Sequence, residues 1–442
     1  MSPFAVKAIQ LLLSLSILIV LHELGHFIPA KLFKTRVEKF FLFFDVKYAL
    51  VKKKIGDTVY GIGWLPLGGY VKISGMIDES MDKEQMALPP QPWEFRSKPA
   101  WQRLIIMLGG VTVNIIVGIL IYIGIFYFSG QKIVTNENLP NGFSVSKEFK
   151  GLGFQEGDQI TAVNGEPFEN LNNINRHLFL RDVSNITVTH PGGEQATIDL
   201  PEDIGMTMFK AGDLEPFEPM RTTIIDTIYP EFPGAKAGFV VGDKVLRVNG
   251  QSVRSFREMI EVVGENGDKE IQVLIERNGE EKLIKATPNV EGKLGLNNLA
   301  TEYVNNYEQV YYSFGESIGG GIAYGYNILK DYVKQFKYVF TKKGATQVGG
   351  FGAIGNMFPD TWNWLKFWHT TALISIILAF MNVLPIPALD GGHVMFLLYE
   401  MVSGRKPNDK VMEYAQMIGF FILIALVLFA NGNDIYRWIT GG

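Results

Sequence analysis

Two histidines and a glutamate stand close together in the stretch VLHELGHFIPA at residues 20–30. His22 and His26 are four residues apart, so on a helix they share one face and can bind one metal ion. Glu23 can then act as a general base toward a water molecule at that metal. The alternative is two core histidines beside a surface glutamate, but the apolar run from Ile9 to Val20 argues against a surface position. The motif therefore predicts a metal centre suited to hydrolysis.

The metal and its third ligand are limited by the residue types available. The chain has no cysteine, so the ligands must be His, Asp or Glu, and zinc is the expected metal. A catalytic zinc site usually has three protein ligands. A search of the other apolar segments for an ionisable residue yields Asp390, in MNVLPIPALDGGHVMF. Asp390 can bind metal or only cap the helix that follows it, and His393 is a rival ligand.

Four apolar stretches must position these residues. They lie at 4–32, 101–128, 367–383 and 415–430. A bilayer core takes about 20 apolar residues to span, and such runs are uncommon in soluble cores. The chain is therefore predicted to be a polytopic α-helical membrane protein. A cleaved signal peptide is the alternative for the first stretch, but no small-residue cleavage site follows it.

The distribution of charge predicts the orientation. The formal net charge is −4, which gives no basic field for a nucleic-acid partner. Lysines and arginines concentrate at 31–54, 96–103 and 405–410, which lie on one side of the four spans. That side is expected to be cytoplasmic, with both termini and residues 129–365 outside. A helix entering near residue 8 rises roughly 20 Å by His22, so the metal would lie nearer the cytoplasmic side.

The loop after the first span has a strand-like pattern. Residues 59–73, VYGIGWLPLGGYVKI, alternate apolar and small residues around Gly68 and Gly69. This pattern predicts a glycine-rich β-hairpin. It is apolar enough to dip into the membrane, where non-helical backbone needs protein or a water-filled cavity beside it. A soluble hairpin is the alternative.

A sequence repeat lies between the second and third spans. GFQEGDQITAVNG at 153–165 aligns without gaps to GFVVGDKVLRVNG at 238–250. Each copy predicts a turn, a strand, a tight Asn-Gly turn and a helix, so two small α+β domains are expected. The repeat resembles PDZ domains of the bacterial type, which bind extended peptides by strand addition, and peptide-binding loops are expected at 203–208 and 292–297. A spacer that sterically screens the membrane surface is the alternative.

HELGH in the first span and NVLPIPALDGG in the third together resemble the site-2 protease family of intramembrane zinc metalloproteases. The two PDZ-like copies, LPLGGYVK, FRSKPAWQR and GGVTVN narrow the resemblance to the bacterial regulator-of-sigma-E protease group. The resemblance implies that His22, His26 and Asp390 bind one Zn²⁺. It also implies that Glu23 is the general base.

Other site residues and the substrate are likewise implied by the resemblance. Asn382 and Asn114 match asparagines associated with substrate positioning, and Pro385 belongs to the same pattern as Asn382. Gly68 and Gly69 lie in a stretch that matches a membrane re-entrant hairpin, which engages substrate as an added strand. The implied substrate is a single-pass transmembrane protein in the bacterial inner membrane. A pre-trimmed anti-sigma factor and a remnant signal peptide are examples.

Two departures from the family pattern concern the substrate side of the site. Val111 follows Gly110, where family members often have proline. Phe43-Phe44-Asp45 stands where Gly-Phe-Gly is often seen. Neither departure touches the expected metal ligands.

Two functions from other classes are alternatives. A metal-ion transporter with peptide-binding outer domains would need liganding residues along several spans, but residues 104–128 and 415–430 contain no Asp, Glu or His. An inactive scaffold that signals through its PDZ-like domains would not need the intact base and ligand set.

The expected domain organisation has eight parts. They are the first membrane helix (1–34), a cytoplasmic loop (35–100), the second membrane helix (101–128), two PDZ-like domains (129–220 and 221–300), an amphipathic linker region (301–365), the third membrane segment (366–400) and the fourth membrane helix (412–432).

Overall fold

The computed structural model describes residues 1–66, 68–76, 88–298 and 306–440. They form two compact units. We call Met1–Gly130 with Tyr311–Gly442 the helical unit, and Gln131–Val310 the β-rich unit. Leu67 of the predicted hairpin and residues 301–305 of the predicted linker region lie outside the described residues.

Within the described residues, four helices of the helical unit are long and apolar enough to cross a membrane. This fits the predicted polytopic membrane protein. The main helices are α1 (Pro3–Leu32), α2 (Ala100–Ser129), α3 (Phe314–Val339), α4 (Trp364–Val383), α5 (Asp390–Ser403) and α6 (Asp409–Thr440). The membrane-length helices are α1, α2, α4 and α6. Short helices lie at Phe95–Ser97, Lys342–Gln347 and Phe351–Asn356.

The chain breaks after α4, where the sequence has Leu-Pro-Ile-Pro. Proline lacks the backbone N–H that a helix interior needs, and α4 ends at Val383. The next helix, α5, begins at Asp390, and its N-cap residue Leu389 makes no side-chain capping hydrogen bond. A Cβ on Gly391 would collide with the carbonyl oxygens of Val383 and Leu384, so glycine permits this tight return.

Helix α2 lies at the centre of the helical unit, in contact with α1, α3, α4 and α5. The α1–α2 contact is made by backbone, because a Cβ on Gly25 or Gly109 would collide with the other residue's carbonyl oxygen. Small residues commonly allow such approach between membrane helices. Ser375 of α4 donates a hydrogen bond from its hydroxyl to the carbonyl oxygen of Asn114, at 2.7 Å.

The sheet of the helical unit differs from the predicted hairpin. Its strands are β1 (Val37–Leu42), β2 (Phe44–Ile55), β3 (Thr58–Leu65) and β4 (Tyr70–Ile73), in the order β2-β3-β1-β4. β1 lies between β3 and β4, parallel to β3 and antiparallel to β4. The hairpin pairing predicted within 59–73 is therefore wrong. Side-chain alternation indicates which face of a strand is buried, and it does not identify the neighbouring strand.

The β-rich unit contains two four-stranded sheets with the same strand order. The first consists of Gln195–Asp199, Asn185–Thr189, Gln159–Val163 and Glu166–Pro167; the second of Glu280–Ala286, Ile271–Arg277, Lys244–Val248 and Gln251–Ser252. Their helices are Lys147–Lys150, Ile174–Leu180 and Ile204–Ala211 in the first copy, and Pro233–Ala237 and Phe256–Gly264 in the second.

Further strand pairs complete the β-rich unit. They join Phe143–Val145 to Phe217–Pro219, Thr227–Ile228 to Leu296–Asn297, and Gln131–Ile133 to Glu308–Val310. The expected loop at 203–208 is wrong, because Asp203 accepts a hydrogen bond from the Met206 N–H and so caps the helix Ile204–Ala211. The expected loop at 292–297 ends in a strand, Leu296–Asn297.

The repeated Gly-Asp and Asn-Gly pairs have local structural roles. Asn164 and Asn249 both adopt positive φ, at 53° and 49°, as the first turn residue of a type I′ hairpin must. Asp243 is fully buried and accepts two hydrogen bonds from Arg277, at 2.7 and 2.8 Å. It also accepts the Val240 N–H at 2.9 Å. Burial alone would raise the pKa of Asp243, but these hydrogen bonds outweigh it and hold the pKa below its usual range.

Asp243 should make the β-rich unit sensitive to acid. Because its folded pKa is lowered, its stabilisation is complete above the unfolded pKa of about 3.9 and is lost as the pH falls further. Arg277→Met should lower the stability of this unit at neutral pH, because the buried Asp243 carboxylate then keeps only its hydrogen bond from the Val240 N–H. Hydrogen exchange of strand Ile271–Arg277 in the full chain measures this. Glu270→Gln removes an exposed ion pair with Lys285 and should change hydrogen exchange of this strand little. Equal exchange in the two variants would contradict a stabilising role for the Asp243–Arg277 pair.

Candidate metal centre

Three ligand atoms converge from two distant parts of the chain. His22 and His26 lie on α1, and their Nε2 atoms are 3.2 Å apart. Asp390, the first residue of α5, brings its Oδ2 to 3.3 Å from His22 Nε2 and 3.4 Å from His26 Nε2. Among the described residues, these three form the group of metal-ligating side chains.

These spacings fit zinc. Ligand atoms about 2.0–2.1 Å from a tetrahedral ion stand roughly 3.3 Å from one another, which is the spacing seen here. Asp390 Oδ2 is buried and has no hydrogen-bond partner among the described residues. A buried carboxylate oxygen is costly without a partner, and a cation between the three atoms would satisfy it. Nitrogen and oxygen donors without sulfur also suit zinc.

Each histidine ring is held from its other nitrogen. His26 Nδ1 lies 2.8 Å from the carbonyl oxygen of Ile106 on α2, so Nδ1 carries the proton and Nε2 is free for a metal. His22 Nδ1 lies 3.2 Å from the side-chain amide of Asn114, also on α2. Within the part of the chain that the structure describes, the Asn114 Oδ1 atom is buried without a hydrogen-bond partner. Turning that amide lets Oδ1 accept the His22 Nδ1 proton, which again leaves Nε2 for the metal.

Gly110 of α2 provides the space in which both imidazoles lie. A Cβ at this position would collide with His26 Nε2 and lie 2.8 Å from His22 Nδ1. Gly110 was not assigned to the site from the sequence. The signal available was a Gly-Gly pair inside an otherwise apolar helix, which often marks close helix packing.

Gly110→Ala should therefore lower zinc affinity at least about tenfold, as loss of ligand orientation does in other zinc sites. Zinc content per chain and the rate of zinc loss to a chelator measure this. Gly124→Ala on the same helix is a matched control, because a Cβ there meets no atom within 4 Å. If both variants keep zinc equally well, Gly110 does not shape the site.

A cavity of about 580 Å³ opens beside the three ligands. Glu23, one residue after His22, lines it together with Val71. Val71 belongs to β4, which is at the edge of its sheet and has β1 as its neighbour. Gly69 lets this edge approach α1, since a Cβ there would lie 2.5 Å from Ile19 Cγ2. The cavity thus brings together a metal set, a carboxylate and an edge strand.

Most of the other predicted site residues line the cavity, and Pro385 does not. Asn382 lies 3.3 Å from His22 Nε2, and together with Asn114, Gly68 and Gly69 it lines the cavity. Pro385 is exposed and does not line it. The rival ligand His393 lines the cavity but stands outside the ligand group, with the Gln416 side chain as its neighbour.

A polar cluster on the cavity wall was not assigned from the sequence. The Tyr70 hydroxyl donates to Asp45 Oδ1 at 2.7 Å, and Lys39 Nζ lies 3.2 Å from Asp45 Oδ2. Burial opposes ionisation of Asp45, but these two partners hold its pKa below the usual range. Asp45 replaces a glycine of the family pattern, and that departure was the available signal.

The membrane-length helices and the HExxH-type site define a membrane zinc metallopeptidase. The model of Peptidase family M50 matches residues 10–426. The chain belongs to this family, the site-2 proteases, which confirms the resemblance found in the sequence. It is a zinc metalloendopeptidase.

Similar proteins extend over almost the whole chain. A Vibrio cholerae protein named "Putative zinc metalloprotease" is 29% identical over 97% of this chain and 98% of its own. The Haemophilus influenzae "Regulator of sigma E protease" is 27% identical over 96% of this chain and 98% of its own. The Escherichia coli "Regulator of sigma-E protease RseP" is 25% identical, with 96% and 97% covered.

Proposed function

We propose that the chain cleaves transmembrane segments of single-pass proteins in a bacterial inner membrane, with His22, His26 and Asp390 as zinc ligands. The observation that carries the proposal is the convergence of their three ligand atoms within 3.2–3.4 Å beside a cavity among membrane-length helices. The proposed substrates are those that the resemblance to the regulator-of-sigma-E protease group implies: anti-sigma factors already trimmed on the outside, or remnant signal peptides.

Glu23 is the general base in this proposal. When bound, zinc polarises the scissile carbonyl and acidifies a water molecule. The Glu23 carboxylate takes the proton of the attacking water and passes it to the leaving nitrogen as the C–O bond forms and the C–N bond breaks. Its position beside His22 and at the cavity wall supports this role.

The edge of β4 is the proposed substrate platform. A transmembrane helix hides its peptide bonds in its own hydrogen bonds, so the substrate must unwind before it can be cut. An unwound segment can pair by strand addition with the edge of β4 that faces away from β1. Gly68 and Gly69 lie directly before this strand. Together with Asn382 they line the cavity and would hold the segment near Glu23.

The proposed orientation places this site toward the cytoplasm. The loops that carry the clusters of lysine and arginine flank α1, α2 and α6 on one side, and such loops are usually cytoplasmic. The β-rich unit would then lie in the periplasm. Water would enter from the cytoplasmic side.

The two repeats would act as PDZ-like domains that screen substrates by size. In the first repeat the Asn175 side chain donates to the Phe217 carbonyl at 2.7 Å and accepts the Phe217 N–H at 3.1 Å. These are backbone groups that an added peptide strand would use. Their satisfaction by Asn175 favours a steric filter over peptide binding at this strand.

The test is proteomics of membrane fragments in cells that carry the Glu23→Gln variant. Trimmed single-pass proteins or signal-peptide remnants should accumulate there and disappear when the wild-type chain is restored. Absence of any accumulating membrane fragment would contradict the proposed substrate class.

A further inference from the structure

Gln416 of α6 contacts the chain on both sides of Asp390. Its Oε1 accepts the backbone N–H of Ala388, and its Nε2 donates to the Nε2 of His393. Gln416 is only 8% exposed, although most of α6 is exposed. One amide thus bridges a residue two positions before Asp390 and a residue three positions after it.

The segment that Gln416 holds needs outside support. Ala388 has φ of +76°, a left-handed conformation that a residue with a Cβ rarely adopts. Such backbone persists only where its surroundings hold it. Gly419, one turn further along α6, adds a second contact, because a Cβ there would collide with the carbonyl oxygen of Pro387. α6 is therefore packed closely against residues 387–388.

We propose that Gln416 is a positioning residue that sets the place of the Asp390 carboxylate relative to His22 and His26. It acts through Ala388 and His393. The inference rests on the zinc-ligand assignment under the proposed function. It makes the metal site depend on α6, a helix that contributes no ligand itself.

Three substitutions separate hydrogen bonding from packing. Gln416→Leu keeps most of the side-chain volume but loses both hydrogen bonds. It should lower zinc affinity by about 10- to 100-fold, the range found when partners of metal ligands are removed. Gln416→Ala should lower zinc affinity at least as much as Gln416→Leu does. Gln416→Glu keeps the acceptor for Ala388 and can accept a proton from the other tautomer of His393, so it should restore most of the affinity.

The experiment uses the full chain in detergent micelles and measures zinc per chain and the rate of zinc loss to a chelator. These readouts do not depend on activity. Ile418→Ala, at a position of α6 that is 57% exposed, is the matched control and should behave like the wild type. In the activity assay, kcat should fall for Gln416→Leu while KM changes little.

Each outcome has a definite reading. If Gln416→Leu keeps zinc like the wild type while Asp390→Ala loses it, the positioning role is wrong and the ligand assignment stands. If Asp390→Ala also keeps zinc, both the positioning role of Gln416 and the assignment of Asp390 as a ligand are wrong. If Gln416→Leu loses zinc and Gln416→Glu retains it, hydrogen bonding by Gln416 positions the site.

Discussion

Glu23→Gln should lower kcat by about 10²–10⁴-fold while the protein still binds one zinc per chain. The range is that lost with a general acid–base group, and the amide cannot take up the proton of the attacking water. His22 and His26 keep their positions on α1, so metal binding should be unaffected. The measurements are turnover of a reconstituted single-pass membrane substrate and zinc analysis of the same preparation.

The control for this experiment is Glu308→Gln, which changes the same chemical group at an exposed position and should leave kcat unchanged. Cleavage by Glu23→Gln at the wild-type rate would remove Glu23 from the mechanism. Loss of zinc from Glu23→Gln would show that the carboxylate supports the metal site, and kcat would then not isolate its role as a base.

Asp390→Ala should lose both zinc and activity. Removing one of three protein ligands leaves two imidazoles, which are too few for a usual catalytic zinc site. The N-cap position of α5 is Leu389 and not Asp390, so the helix should persist without this carboxylate. The expected result is less than about a tenth of the wild-type zinc content after dialysis, together with loss of substrate cleavage.

Two comparisons sharpen this prediction. His393→Ala should retain more zinc than Asp390→Ala, because His393 stands outside the ligand group. Asp57→Ala, in the exposed turn between β2 and β3, controls for loss of a carboxylate. A His393→Ala variant without zinc beside a zinc-loaded Asp390→Ala variant would reverse the assignment of the third ligand.

The sequence by itself predicted the spans and the class of protein. Apolar runs of bilayer length can be read directly, because each residue contributes to membrane insertion whatever its distant neighbours are. The HExxH motif can be read directly for a similar reason, since the helix brings residues i and i+4 onto one face. Local spacing could not identify Asp390, because some 360 residues separate it from His26. Its apolar surroundings and the family pattern indicated it.

Tertiary structure alone decided the contacts between elements distant in the chain. No alternation within 59–73 could show that β1 separates β3 from β4. Nothing local to α2 or α6 showed that Gly110 leaves space for two imidazoles or that Gln416 bridges the residues around Asp390. Local spacing determines which side chains share a face of one helix or strand, whereas packing between distant elements determines what that face meets.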